Sequence, residues 1–265
     1  MKSKISKALS LSIFMFGASN ASAEMVDFNI NLNFNNEITT SQRGIFEEAV
    51  TFWENNILGY ADGFDLTGSL TIAANGAYID GVGGVLGSAG PTYGYQNESI
   101  NNNYFYATAG AMTFDTSDLA ALEIQERLYS VILHEMAHVI GFGTLWDYNN
   151  LYVQDSFQYT GINALATYQL EFDPTALFVP VESDGGAGTA NGHFDETWAG
   201  PTSDLMTGYI EGATSFSNTT LASFVDLGYV TSNSYSASAV FSPATGLLGL
   251  TLLGLAGIRR KIQID

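Results

Sequence analysis

A chain of 265 residues, 46% hydrophobic and 13% aromatic, is long enough for one large domain or two small ones and too apolar for global disorder. Its formal charge of −19 excludes a nucleic-acid binder working through a basic surface, and its lack of cysteine excludes a disulfide framework, a thiolate metal site and a cysteine nucleophile. The cations crowd the two ends: between residues 24 and 258 only Arg43 and Arg127 stand against 26 acids, a net of −24.

Residues 1–23 read as a secretory signal. Lys2, Lys4 and Lys7 precede an apolar stretch from Ala8 to Ala18, and Ala21-Ser22-Ala23 offers a small-residue cleavage site after Ala23. The apolar run is too short to span a membrane. Val26, Phe28, Ile30, Leu32 and Phe34 then alternate with polar residues, as in a half-buried strand. Phe46, Ala49, Val50, Trp53 and Ile57 recur at helical spacing behind the cap candidates Thr40 and Ser41. A second strand is expected around Ser69 to Ala73, long Gly- and Asn-rich loops with at most one short strand over 75–103, and another strand over Tyr104 to Phe114. Ser117 and Asp118 open a helical region that runs, with a break near Glu126, to Ile140. This order points to a mixed sheet covered by two helices.

The second of those helices carries the chemistry. His134-Glu135-Met136-Ala137-His138 is a His-Glu-x-x-His motif, and on a helix positions i and i+4 share one face, so both imidazoles reach one ion. Glu135, on a neighbouring face, is placed to act on a water rather than to ligate metal. Gly141 is expected to end the helix with positive φ. A catalytic zinc needs a third protein ligand. The position three residues beyond Gly141 is Thr144; Glu171 or Asp173 would serve in a carboxylate-type site, and the last histidine is His193, 55 residues beyond His138. The lesser alternative for His193 is an ordinary surface histidine in a Gly-rich loop. Asp204-Leu205-Met206-Thr207-Gly208-Tyr209 follows it, and Asp195 and Glu196 read as solvated acids or as partners of His193. The acidic, Gly-rich loops are candidates for Ca²⁺, although none matches a defined calcium loop, and a saline habitat explains such acidity as well.

The helix motif, a delayed third histidine and the Leu205-Met206 turn together resemble the leishmanolysin family of metzincin metalloproteases, over roughly residues 28–230. The resemblance implies an α+β, metzincin-like zincin fold: a mixed twisted β-sheet with two long helices in an N-terminal subdomain, and a smaller, irregular C-terminal subdomain ending in a helix. It implies one Zn²⁺ held by His134, His138 and His193, Glu135 as general base, and Met206 as the methionine beneath the metal. Substrates would be proteins or peptides, lying along an edge strand near Gly110 to Phe114. The likeness extends through Ser217 to Val230, where Thr220 to Tyr229 reads as a closing helix with Gly228 as its C-terminal stop. Tyr209 stands three residues after Met206, where metzincins with a tyrosine at the metal have two. The lack of cysteine sets the chain apart from disulfide-rich relatives and removes a cysteine latency switch.

Beyond the expected catalytic domain, 24–230, residues 231–242 form a Ser-rich linker and 243–265 an apolar sorting or anchor segment with a basic end. Val240 to Ile258 followed by Arg259-Arg260-Lys261 resembles the PEP-CTERM sorting tails of Gram-negative bacteria, with Phe241-Ser242-Pro243-Ala244-Thr245 in place of the usual Pro-Glu-Pro start. A plain C-terminal membrane anchor is the alternative. Either places the domain outside the cytoplasm, in the envelope, at the cell surface or released. Two rival functions use the same residues: a surface adhesin with a structural zinc, and a zinc hydrolase of non-protein amides.

Overall fold

The computed structural model describes residues 27–61, 69–96, 103–209 and 214–233. The expected signal segment, linker and C-terminal apolar segment lie outside them, apart from the linker's first three residues. Among the described residues no helix is long and apolar enough to cross a membrane.

The architecture is mixed α+β. Strand β1 (Ile30–Phe34) leads into helix α1 (Thr40–Asn56). The helix is capped by Thr39 and not by Thr40 or Ser41, because Thr39 and Gln42 form a reciprocal capping box, each side chain bonded to the other's backbone N–H. Its buried face is Gln42, Phe46, Ala49 and Trp53, at helical spacing. Strands β2 (Ile57–Tyr60), β3 (Leu70–Ala77), β4 (Gly87–Gln96) and β5 (Phe105–Asp115) follow. The helical region is two helices, α2 (Leu119–Ile124) and α3 (Leu128–Ile140), broken where Glu126 adopts φ 58°.

The main sheet has the order β1-β3-β5-β4, with β1, β3 and β5 parallel and β4 antiparallel to β5. This corrects the expected substrate edge. Gly110 to Phe114 lies in β5, which is paired on both sides, and among the described residues the sheet edge beside α3 belongs to β4. The reason is compositional: β4 reads Gly-Ser-Ala-Gly-Pro-Thr-Tyr-Gly-Tyr-Gln, so its strand character comes from pairing with β5 and not from β-branched alternation. Pro91 is tolerated because the strand is at the edge. Small residues also set the packing behind it. A Cβ on Gly110 would lie 2.3 Å from Val139 Cγ1 and 2.8 Å from the Gly90 carbonyl, so glycine lets the sheet lie flush against α3.

The core runs between this sheet and the two long helices. Phe46 meets Phe34 and Phe114 edge-on, with centroids 5.4 and 5.2 Å apart, and Trp53 Nε1 donates to the Leu133 carbonyl, tying α1 to α3. After α3 come β6 (Gln158–Tyr159), α4 (Ile162–Glu171), β7 (Val179–Pro180), α5 (Asn218–Asp226) and β8 (Tyr229–Thr231). Strand β8 pairs with β2, and the Tyr229 hydroxyl donates to the Ile140 carbonyl, so the chain's last described strand closes on the end of α3. Gly228 follows α5 with φ 92°, a position where a Cβ would strike the Tyr104 ring at 2.4 Å.

Candidate metal centre

Helix α3 is buried on nearly all sides, which its run of apolar residues around His134, Glu135 and His138 requires. Gly141 ends it with φ 138°, and the turn returns the Phe142 carbonyl to His138, whose Nδ1 lies 2.9 Å away. The chain then leaves through β6, α4 and β7 and comes back to His193. The return is fixed by backbone bonds: Glu182 N–H donates to the His193 carbonyl and Asn191 N–H to the Glu182 carbonyl. Thr144, where a closely spaced third ligand would stand, instead donates through Oγ1 to the His138 carbonyl.

The three imidazoles meet. Their Nε2 atoms are 3.0 Å (His134–His193), 3.0 Å (His138–His193) and 3.1 Å (His134–His138) apart, and all three residues are buried. Each Nδ1 faces a backbone carbonyl: Leu205 for His134 at 2.7 Å, Phe142 for His138 at 2.9 Å and Thr189 for His193 at 2.8 Å. A carbonyl oxygen can only accept, so each ring carries its proton on Nδ1. Burial first, and the neighbouring imidazole second, push all three rings down to about 3, against the carbonyls that favour the charged form. Three neutral rings with protonated Nδ1 leave three Nε2 lone pairs facing one another with no proton between them. Such a set fits a cation and little else. Among the described residues no fourth protein ligand joins the three imidazoles, and their spacing is near the N···N separations of about 3.3 Å that tetrahedral Zn–N bonds of about 2.0–2.1 Å give.

Glu135 stands beside them, buried, and its carboxyl is pushed up to about 8 by that burial. Among the described residues no donor reaches its carboxylate. Met206 is fully buried, and consecutive carbonyls of its turn face the site: Leu205 takes the His134 Nδ1 proton, and Met206 takes the N–H of Phe194, next to His193. Asp204 anchors the turn, accepting from Met206 N–H, Thr220 Oγ1 and Ser217 N–H at the start of α5.

Other candidates fall elsewhere. Glu171 accepts four bonds from Asn218 and Thr219 and so caps α5, while Asp173 bonds Thr175, so neither joins the histidines. The Tyr209 hydroxyl reaches Asp184, on the outer side of the 184–192 loop. Asp195 closes a local turn on Thr197 and does not orient His193, whose partner is the Thr189 carbonyl. Glu182, Asp195 and Glu196 form a second convergent group, with ligand atoms within 4.8 Å. There burial, and next the hydrogen bond shared with Glu182, push Glu196 up to about 7, so a shared proton relieves the like-charge contact. The orienting carbonyls and Asp204 carried no signal in the motif: every residue has a carbonyl, and an aspartate two positions before a methionine is unremarked without the fold.

The family model described as leishmanolysin, a peptidase family, matches residues 105–249, more than half of the chain. No curated protein matches.

Proposed function

The chain belongs to the leishmanolysin family of metallopeptidases, and from that membership we propose a zinc-dependent endopeptidase with His134, His138 and His193 as metal ligands and Glu135 as general base. The observation that carries this reading is the convergence of three imidazole Nε2 atoms, each ring's Nδ1 turned to a backbone carbonyl, beside the buried Glu135 side chain, whose carboxylate no donor among the described residues reaches. Zinc, when bound, supplies Lewis acidity toward the scissile carbonyl and lowers the pKa of water.

The protein's own groups do the rest. The three Nδ1–H···O=C bonds hold the rings in one tautomer and one orientation. Glu135, raised by burial, would be drawn back toward its ionised form if His134, His138 and His193 held a dication. Its carboxylate takes the proton of the attacking water and delivers it to the leaving amide nitrogen. The substrate backbone adds to the free edge of β4, which starts beside Glu135. In this reading residues 24–230 are the catalytic unit. The signal-like start and the apolar, Arg-ended tail support export and attachment or sorting at a bacterial envelope.

Full-length Glu135→Ala tests the mechanism. Casein hydrolysis should fall by about 100-fold or more while the zinc content stays at the wild-type level. Cleavage at the wild-type rate would contradict it.

A further inference from the structure

Glu135 has an unusual restraint. No donor among the described residues holds its carboxylate, so the close contacts of its side chain bear directly on where its oxygens sit. The wall it rests on is the backbone of Gly87, the first residue of the edge strand β4, opposite Phe114 of β5. A Cβ built on Gly87 would lie 2.9 Å from Glu135 Oε1 and 3.2 Å from both Cδ and Cγ. All three contacts are closer than ordinary van der Waals separation, and all three are to the one side chain assigned to proton transfer.

We propose that Gly87 is a positioning residue for the Glu135 carboxylate: its bare Cα lets the edge strand close directly onto the general base and fixes the base's distance from the reacting atoms. Gly87 is not in the left-handed region, so glycine is not needed there for backbone conformation. Strand residues with a side chain are in general favoured over glycine, which costs chain entropy. What glycine supplies at this position is space, and the three atoms nearest to it all belong to Glu135. The role differs from that of Gly110, whose missing Cβ makes room for Val139, an apolar contact between sheet and helix. It also couples the two halves of the site, because the strand proposed to receive substrate is the one that confines the base. The inference rests on the reading of Glu135 as general base, but its structural half can be tested without activity.

The test is Gly87→Ala in the full-length, zinc-loaded protein, read in two ways. In crystal structures of wild type and variant, the Glu135 carboxylate should move by about 0.5–1 Å in Gly87→Ala while the three Nε2 positions and zinc content hold. Against casein, kcat should fall about 10- to 100-fold with KM little changed, the penalty expected for a displacement of about 1 Å. In a Glu135→Asp background, where the crowded Cδ and Oε1 are gone, the same substitution should cost less than about 3-fold, a non-additivity that a general loss of stability would not produce. An unmoved carboxylate overturns the proposal, as does an equal loss of kcat in both backgrounds or a loss of zinc. If wild type itself fails to cleave casein, the peptidase reading fails, and the carboxylate's displacement still decides the role of Gly87.

Discussion

At the scale of single residues, the site is defined by where protons are. Each histidine spends its one proton on a carbonyl, which frees the opposite nitrogen, and the arrangement is enforced by burial. The three histidines and Glu135 were legible from the sequence because the chain has no other histidine and the helix period places two of them on one face. The choice of His193 over Glu171 or Asp173 was not legible from spacing. It depends on a long excursion whose return is set by backbone bonds to Glu182, and it came from the family resemblance. A second proton matters nearby. Glu196, pushed up to about 7 by burial and by its bond with Glu182, binds a proton more tightly in the folded chain than an ordinary glutamate does at about 4.3. The stability this contributes is fully present below the ordinary value and is lost as pH rises through about 7. Thermal melts at about pH 6 and about pH 8 should therefore show Tm falling in wild type and falling less in Glu196→Gln. Equal falls would remove the pair from the account.

At the scale of elements, the turn carrying Met206 works as a clamp between α3, the His193 loop and α5. Asp204 holds it, with three donors on a nearly buried carboxylate whose pKa is raised by burial and lowered by those bonds. Asp204→Ala leaves Met206 N–H, Ser217 N–H and the Thr220 hydroxyl to find other partners, at a cost of about 1–3 kcal/mol for each buried group left unmet. Because the Leu205 carbonyl orients His134, zinc affinity should also fall, by about 10-fold or more. Equilibrium dialysis against a zinc buffer checks the affinity, and an unchanged value would separate the clamp from the metal. The helices around the site were legible, including the break at Glu126 and the stop at Gly141, because both follow from periodicity and helix-end chemistry. Strand β4 was not, since glycine, serine and proline carry no strand signal, and its existence depends on β5. The short strands β2, β6, β7 and β8 and helix α4 escaped for a related reason. The strands are two to four residues long, and α4 is capped from a distance by Asp226 of α5, which accepts from Asn163 and Ala164 N–H.

At the scale of the whole molecule, a strongly acidic chain keeps its few neutral bases at one point. Of the two cations between residues 24 and 258, Arg43 is spent on structure: it donates to the Ile38 and Asn35 carbonyls and stacks over Phe34. Asp115 does the opposite work for an acid. Its burial opposes ionisation, but N–H groups from Ser117, Asp80 and Gly81 hold it below the usual carboxylate range and pin the loop leading into β4. The mixed α+β layout was legible as strand, helix, strands, helix; the strand order that puts β4 at the edge was not, because it is a property of pairing between distant segments. The three histidines, brought together only on folding, are proposed here as one metal-ligand set. Elemental analysis of zinc per purified full-length chain, for wild type and for His193→Ala, tests it most directly. One zinc per wild-type chain and a clear loss in the variant under the same dialysis are expected; a wild-type value well below one, or a variant that keeps its zinc, would rule the ligand set out.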